Sequence, residues 1–229
     1  MANPAIIMPW RLTPDREASM LTAFRHNSQT FSDIPIYKSD STKEKFNRSE
    51  ARNLGCDQAI ADGHDILIVL DADTIFDRSG VDQAIKMITE HGAKFIMHPY
   101  NRDFEIWFSA RETIEQEQED LDNIRKNNNS NNGHIGSGWV MTSEVFKHIN
   151  GWDERFTEWG WEDNALDFVN KTLFNESIPH MNGCAIRLMH GMEDRNSGMM
   201  SKISEEHYIN NYAYITNITE LKQLISGNR

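Results

Sequence analysis

The feature that most constrains the fold is an apolar run, Ile66–Leu70, which is followed at once by Asp71-Ala72-Asp73. A run of this length between polar flanks is typical of a strand buried at the centre of a sheet. Because side chains alternate along a strand, Asp71 and Asp73 are predicted to point the same way. Adjacent carboxylates repel each other unless a cation lies between them, and open α/β sheets bind ligands beyond the carboxyl ends of their strands. The motif therefore favours a metal and nucleotide site, although a polar turn that merely ends the strand fits the spacing equally well.

The charge of the chain argues against one broad class of partner. Its 229 residues include 35 acidic and 23 basic side chains, which gives a formal net charge of −12. A surface this acidic does not hold a nucleic-acid backbone by bulk electrostatics, so nucleic acid is not the expected partner. A local basic groove is still compatible with the negative net charge of the whole chain. The length fits one large domain or two small ones.

Membrane and cysteine signals are weak in this sequence. No apolar stretch approaches the roughly 20 residues that a bilayer-spanning helix needs, and the N-terminus lacks the basic and apolar segments of a signal peptide. We therefore expect no membrane span and a cytoplasmic location. Cys56 and Cys184 are the only cysteines. They are too few for a disulfide framework or a zinc cluster, so we expect two buried, reduced thiols.

The first hundred residues alternate between predicted strands and predicted helices. The intervening helices are expected to begin at three N-terminal signals: Thr13 followed by Pro14, the capping box that starts at Asn47, and Ser79. A β-α-β-α-β-α-β order implies a largely parallel sheet covered by helices on both faces. The predicted strands are 5–8, 34–37, 66–70 and 94–98.

The second half is less regular. A strand is predicted at 104–108 and a very acidic surface helix at 109–124, followed by an Asn-rich loop at 127–133. That loop is either a lid over a site or a plain surface linker. The remaining predicted elements are helices at 143–150, after Asn164 and over most of 203–225, and a strand at 185–189.

The densest functional signal is Trp159-Gly160-Trp161-Glu162-Asp163. Aromatic rings stack on sugars, carboxylates bind hydroxyl groups, and a carboxylate beside an aromatic wall can act as a general base. The alternative is structural, because acidic residues are favoured in the first turn of any helix and the tryptophans could belong to the core.

Other candidate residues carry weaker signals. Arg11 and Arg16 follow the first predicted strand, where they either meet a diphosphate or remain solvated. Gly136 and Gly138 allow the close approach of a backbone or a sugar. His190 follows a predicted strand, and imidazole beside carboxylates suits manganese, although a lone histidine is more often an ordinary polar residue.

Four motifs in this order resemble the beta-1,4-galactosyltransferase family and its chondroitin-polymerase-like relatives. The motifs are FNRSEARNLG at Phe46–Gly55, Asp71-Ala72-Asp73, Trp159–Asp163 and His190. The resemblance implies a GT-A fold, an α/β architecture with a Rossmann-like, mostly parallel central sheet flanked by helices and a C-terminal acceptor and metal subregion. It further implies a single domain over 1–229, with a nucleotide-binding half at 1–100, a sugar and acceptor half at 101–200 and a helical segment at 201–229.

The resemblance also implies a role for each motif residue. Asp73 and His190 would ligate Mn²⁺, or Mg²⁺ in its place; Glu162 would hold the donor sugar, and Asp163 would be the general base. The reaction would be an inverting transfer from a nucleotide diphosphate sugar, expected to be a UDP-linked hexose or N-acetylhexosamine, to the hydroxyl of an acceptor, expected to be a glycan. The implied nucleotide-sugar site comprises Pro9, Arg11, Arg16, Phe46, Arg48, Asp71, Gly136, Gly138 and Trp161.

Two departures from the family pattern concern the sugar pocket. Galactosyltransferases typically have two glycines between the second tryptophan and the glutamate, whereas Trp161 abuts Glu162 here, and Asn164 stands where a third acidic residue is common. Two other functions are a catalytically silent sugar- or nucleotide-binding module of the same fold and a transferase that acts on a modified nucleic-acid base. A nucleotidyltransferase is less compatible, because residues 6–16 lack the glycine-rich phosphate loop that it needs.

Overall fold

The computed structural model describes residues 2–106, 123, 126, 130–132, 135–189 and 201–229. The strands are β1 Pro4–Pro9, β2 Ile36–Ser39, β3 Ile66–Leu70, β4 Thr74–Phe76, β5 Arg102–Ile106, β6 Asn131–Asn132, β7 Gly138–Thr142 and β8 Cys184–Leu188. The helices are α1 Glu17–Thr30, α2 Arg48–Ala61, α3 Arg78–His91, α4 Ser143–Ile149, α5 Glu162–Phe174, α6 Lys202–Asn211 and α7 Ile218–Ile225.

The first sheet has the order β2-β1-β3-β7, in which β1 is parallel to both β2 and β3 while β7 is antiparallel to β3. All five residues of β3 are buried, as the apolar run predicts. Leu67 and Val69 face one core that includes α2, α4 and α5, and Ile66 and Ile68 face another that includes α3. The mostly parallel sheet with helices on both faces is therefore confirmed.

The second sheet has the order β4-β8-β5-β6 and begins directly after Asp73. The segment Asp71–Asp73 is a turn that leads from the first sheet to the second. The Asp71 N–H donates to the Ser137 carbonyl at 2.7 Å, and the Thr74 N–H donates to the Asp71 carbonyl at 3.3 Å. The predicted strand alternation of Asp71 and Asp73 is therefore wrong, because the chain bends at this point to change sheets.

Several predicted boundaries also change. Residues 94–98 form only isolated bridges at Met97 and His98 instead of a strand. Helix α1 begins at Glu17 because Thr13 and the next three residues form a turn, in which the Thr13 carbonyl accepts both the Arg16 and the Glu17 N–H groups. Strand β2 lies two residues later than predicted.

The predictions for the start of α2 and for the two cysteines are confirmed. The Asn47 side chain caps α2 by accepting from the Glu50 N–H at 2.8 Å, and both cysteines are buried and free. None of the helices in the described ranges is both long and apolar enough to cross a membrane. Apart from Asn123, the predicted acidic helix lies outside the described residues, as does most of the Asn-rich loop.

Candidate active site

An open cleft of about 340 Å³ lies where the loops after β1 and β3 meet the start of α2. This is the edge at which parallel α/β sheets bind ligands, because the carboxyl ends of β1 and β3 meet there. The structure brings seven of the predicted site residues together in this cleft. Its lining is Pro9, Arg11, Arg16, Met20, Phe46, Arg48, Asp71, Ala72 and Asp73.

Arg11 builds one wall of the cleft. Its Nε donates to both carboxylate oxygens of Asp40 at 2.9 and 3.0 Å. The other two guanidinium nitrogens donate to the carbonyls of Glu44 at 2.8 Å and Ser41 at 2.7 Å. The guanidinium also lies 5.4 Å from the centre of the Phe46 ring, within cation–π range. Arg11 therefore fixes the 40–44 loop and the Phe46 ring beside the cleft.

Two arginines one turn apart on α2 meet two adjacent carboxylates at the start of α5. Arg48 Nη1 donates to Glu162 Oε1 at 3.1 Å, and Arg52 Nη1 donates to Asp163 Oδ1 at 3.2 Å. The second nitrogen of Arg52, Nη2, donates to Asp71 Oδ1 at 3.0 Å. A single guanidinium therefore connects Asp163 with the Asp71 side of the cleft.

Arg52 joins these ion pairs, and no sequence pattern predicted its place among them. Its side chain has no exposed surface, and arginine is rarely buried unless it is paired. The only local signal is its spacing of four residues from Arg48, which places both side chains on one face of α2. Its carboxylate partners are 19 and 111 residues away along the chain.

The turn before α5 has an unusual backbone conformation. Gly160 has φ +100° and Trp161 has φ +70°, a left-handed value that non-glycine residues seldom adopt. Such conformations cost energy and are concentrated at functional sites. The turn delivers Glu162 and Asp163 to the two arginines of α2. The Trp161 ring lies 5.1 Å, centre to centre, from the Tyr208 ring of α6.

Both glycines of the predicted sugar pocket are buried. The Gly136 carbonyl accepts hydrogen bonds from the Tyr100 hydroxyl and from the Gly138 N–H. A Cβ on Gly138 would lie 2.8 Å from Phe76 Cε1. Neither glycine is part of the cleft lining, and the space beside Gly138 is filled by Phe76.

The electrostatics of the site favour a proton acceptor. The pKa of Asp163 is raised to about 7, chiefly by burial and then by the charge of Glu162, while Arg52 and Arg48 act in the opposite direction. A general base works best when its pKa is near the working pH. Asp163 can therefore exchange a proton near neutrality, unlike an ordinary solvated aspartate.

Asp73, a predicted metal ligand, lines the cleft, and its predicted partner His190 lies outside the described residues. The Asp73 carbonyl accepts from the Leu188 N–H at 2.9 Å, which ties the end of β8 to the Asp-x-Asp turn. The described residues alone contain no group of three or more ligands arranged for a metal ion. Carboxylates in the cleft together with an imidazole after β8 are a donor set that fits Mn²⁺.

Comparison with known proteins places the chain in a family. The family model of glycosyl transferase family 2 matches residues 14–149, more than half of the sequence. The chain belongs to glycosyl transferase family 2. A second model, described as the N-terminal domain of galactosyltransferase, matches residues 123–177 of this family 2 protein, a range that includes Trp161 and Asp163. No curated protein sequence matches it.

Solved structures similar to this family 2 protein include glycosyltransferases. A mutant of Drosophila β1,4-galactosyltransferase 7 in complex with manganese, UDP-Gal and xylobiose has 14% identity and a TM-score of 0.58, over 96% of this chain and 84% of that one. GalNAc-T7 with UDP, GalNAc and Mn²⁺ has 10% identity and a TM-score of 0.56, over 99% of this chain and 55% of that one. At these identities the likeness concerns the fold, and it confirms the expected GT-A fold.

Proposed function

We propose that this family 2 protein is a metal-dependent, inverting glycosyltransferase. It moves a sugar from a nucleotide diphosphate sugar, a UDP-linked hexose or N-acetylhexosamine, to a glycan hydroxyl. The observation that carries the proposal is the Asp71–Arg52–Asp163 connection. The Arg52 guanidinium links Asp163, whose pKa is about 7, to Asp71 in the lining of the cleft. The UDP-Gal and the GalNAc in the complexes of the two similar enzymes support the choice of donor.

Different cleft residues bind different parts of the donor. Phe46 offers an aromatic face to the nucleobase of the donor, and Arg16 and Arg48 supply positive charge for its diphosphate. A Mn²⁺ or Mg²⁺ ion held by Asp73 and His190 would, when bound, act as a Lewis acid toward the departing diphosphate. Glu162, at the start of α5 and paired with Arg48, holds the donor sugar through its hydroxyl groups.

Asp163 carries the proton transfer. Its carboxylate accepts the proton of the acceptor hydroxyl while that oxygen bonds to the anomeric carbon of the donor. The bond from the anomeric carbon to the diphosphate oxygen breaks at the same time, and its electron pair leaves with the diphosphate. Because the acceptor oxygen attacks opposite the leaving group, the anomeric configuration inverts.

Ligand-dependent thermal stability tests donor binding. Nucleotide diphosphates and nucleotide sugars are each added with and without Mn²⁺, and the unfolding midpoint is measured. A ligand at a hundred times its Kd stabilises the native state by about 2.7 kcal/mol, or roughly 5–11 °C for a domain of this size. We expect such a shift with UDP or a UDP-sugar only when Mn²⁺ is present, and no shift with any nucleotide would refute the donor site.

Asp163→Asn tests the transfer step. We expect this variant to bind donor normally but to transfer sugar at least about a hundredfold more slowly, the usual contribution of a general base. Asp167→Asn is the matched control, because it makes the same change one turn later on α5 and keeps the oxygen that accepts from the Ile178 N–H. Transfer at the normal rate by Asp163→Asn would remove Asp163 from the mechanism.

A further inference from the structure

Arg52 differs from the other basic residues of the site. Arg11, Arg16 and Arg48 line the cleft, whereas Arg52 does not and is fully buried behind it. It therefore acts through other residues instead of touching the donor. Its two terminal nitrogens are committed to different carboxylates, Nη2 to Asp71 and Nη1 to Asp163.

Two tryptophans hold the Arg52 guanidinium in place. The guanidinium carbon lies 4.2 Å from the centre of the Trp139 ring and 5.6 Å from that of Trp152. Both rings are buried. Stacking on an aromatic face fixes the plane of a guanidinium, and the rigid fork of that plane then sets the direction of both hydrogen bonds. The ammonium group of a lysine has the charge but not this geometry.

We propose that Arg52 is the positioning residue that holds the Asp163 carboxylate at a fixed spacing and orientation relative to the Asp71 turn of the donor cleft. Because Arg52 binds Oδ1 of Asp163, Oδ2 is the atom that takes the proton of the acceptor. The inference rests on the proposed role of Asp163 as the base. It extends that role, because it assigns the orientation of the base to a residue outside the cleft.

Arg52 also has an electrostatic effect that a purely structural residue lacks. Its charge lowers the pKa of Asp163 against the opposing effects of burial, Glu162 and Asp71. A substitution that removes the charge of Arg52 but keeps a polar side chain is therefore expected to raise the pH at which Asp163 loses its proton. A substitution that keeps the charge at position 52 but loses the guanidinium fork is expected to disturb the orientation of the Asp163 carboxylate more than its protonation.

Two variants separate these effects. For Arg52→Gln we expect kcat to fall at least about a hundredfold, with a smaller change in the donor KM, and the acid limb of the kcat profile to move up by at least about one pH unit. For Arg52→Lys we expect the acid limb to return toward its original position while kcat stays at least about tenfold low. Arg155→Lys is the matched control, since Arg155 also forms a carboxylate pair, but its partner is Asp153 instead of Asp71 or Asp163.

Titration of the aspartate carboxyl groups, in protein labelled with ¹³C at aspartate, tests Arg52 without measuring sugar transfer. The inference can therefore fail or succeed independently of the proposed function. The Asp163 signal is identified with Asp163→Asn, and its midpoint is expected to rise in Arg52→Gln. If the unaltered protein transfers no sugar from any donor, the proposed function fails while this titration still tests Arg52. An unmoved Asp163 midpoint in folded Arg52→Gln overturns the inference. If Arg52→Gln does not fold, a normal kcat in Arg52→Lys overturns it.

Discussion

Asp153 connects helix α6 to the loop that precedes the Gly160-Trp161 turn. The carboxylate is buried and accepts hydrogen bonds from Arg155 Nε at 2.7 Å, His207 Nε2 at 2.9 Å and the Tyr212 hydroxyl at 2.9 Å. His207 belongs to α6, and Tyr212 follows the last residue of that helix. Loss of the Asp153 charge should therefore weaken the attachment of α6.

The pKa of Asp153 sets the size of this effect. Burial alone would raise the pKa, but hydrogen bonds from His207 and Arg155 outweigh burial and lower it from 3.8 to about 2. At about 1.4 kcal/mol for each unit of pKa, this corresponds to about 2.5 kcal/mol of folding stability. Because the folded state has the lower pKa, the contribution is fully present above about pH 4 and is lost as the pH falls toward 2.

Urea denaturation of Asp153→Asn measures this contribution. At pH 7 we expect a loss of about 2.5 kcal/mol, or roughly 5–10 °C in the unfolding midpoint, and the difference from the unaltered protein should shrink between pH 4 and 2. Asp82→Asn is the control, because its exposed pair with Arg78 should contribute less than about 1 kcal/mol. A difference that stays constant from pH 7 to pH 2 would show that the Asp153 charge does not stabilise the fold.

Three further predictions concern the cleft and the packing around it. The transfer rate should rise with pH through a midpoint of about 7, because Asp163 must lose its proton to act as the base; a rate that is flat from pH 5 to 9 contradicts this. Asp73→Ala should abolish the Mn²⁺-dependent part of UDP binding in calorimetry, and normal Mn²⁺-dependent affinity would exclude Asp73 as a ligand. Gly80→Ala should lower stability by about 1–3 kcal/mol or more in thermal unfolding, because its Cβ would lie 1.8 Å from the Pro99 carbonyl oxygen. Gly227→Ala is the control and should be tolerated, because its Cβ would lie 3.7 Å from the nearest atom. Equal stability of the two alanine variants would contradict the predicted clash.

Local signals explain which parts of the fold could be predicted. The buried strand β3 and the Asn47 cap of α2 follow from a continuous apolar run and from one side chain that accepts a nearby N–H. The segment 94–98 has an apolar centre, Phe95-Ile96-Met97, but forms only isolated bridges. An apolar centre does not by itself predict a strand, because a strand also needs a neighbouring strand with which to pair.

Long-range contacts explain what could not be predicted about the site. The motif residues Asp71 and Asp163 are visible in the sequence, but their connection depends on a buried side chain that contacts both from a separate helix. Arg52 has no pattern of its own that distinguishes it from a solvated arginine on the surface of α2. The bend at Asp71–Asp73 is similarly set by pairing with distant segments, through the Ser137 carbonyl on one side and β8 on the other.

The two arginine–carboxylate pairs between α2 and α5 have a consequence for protein engineering. Arg48 and Arg52 lie in the range matched by the family 2 model alone, whereas Glu162 and Asp163 lie beyond residue 149, in the range of the galactosyltransferase model. A chimera that takes the start of α5 from a relative without matching acids would leave the buried Arg52 with Asp71 as its one remaining carboxylate partner, and breaking a buried ion pair costs about 3–5 kcal/mol. Exchanging the turn before α5 in this protein therefore requires α2 and the start of α5 to be transplanted together.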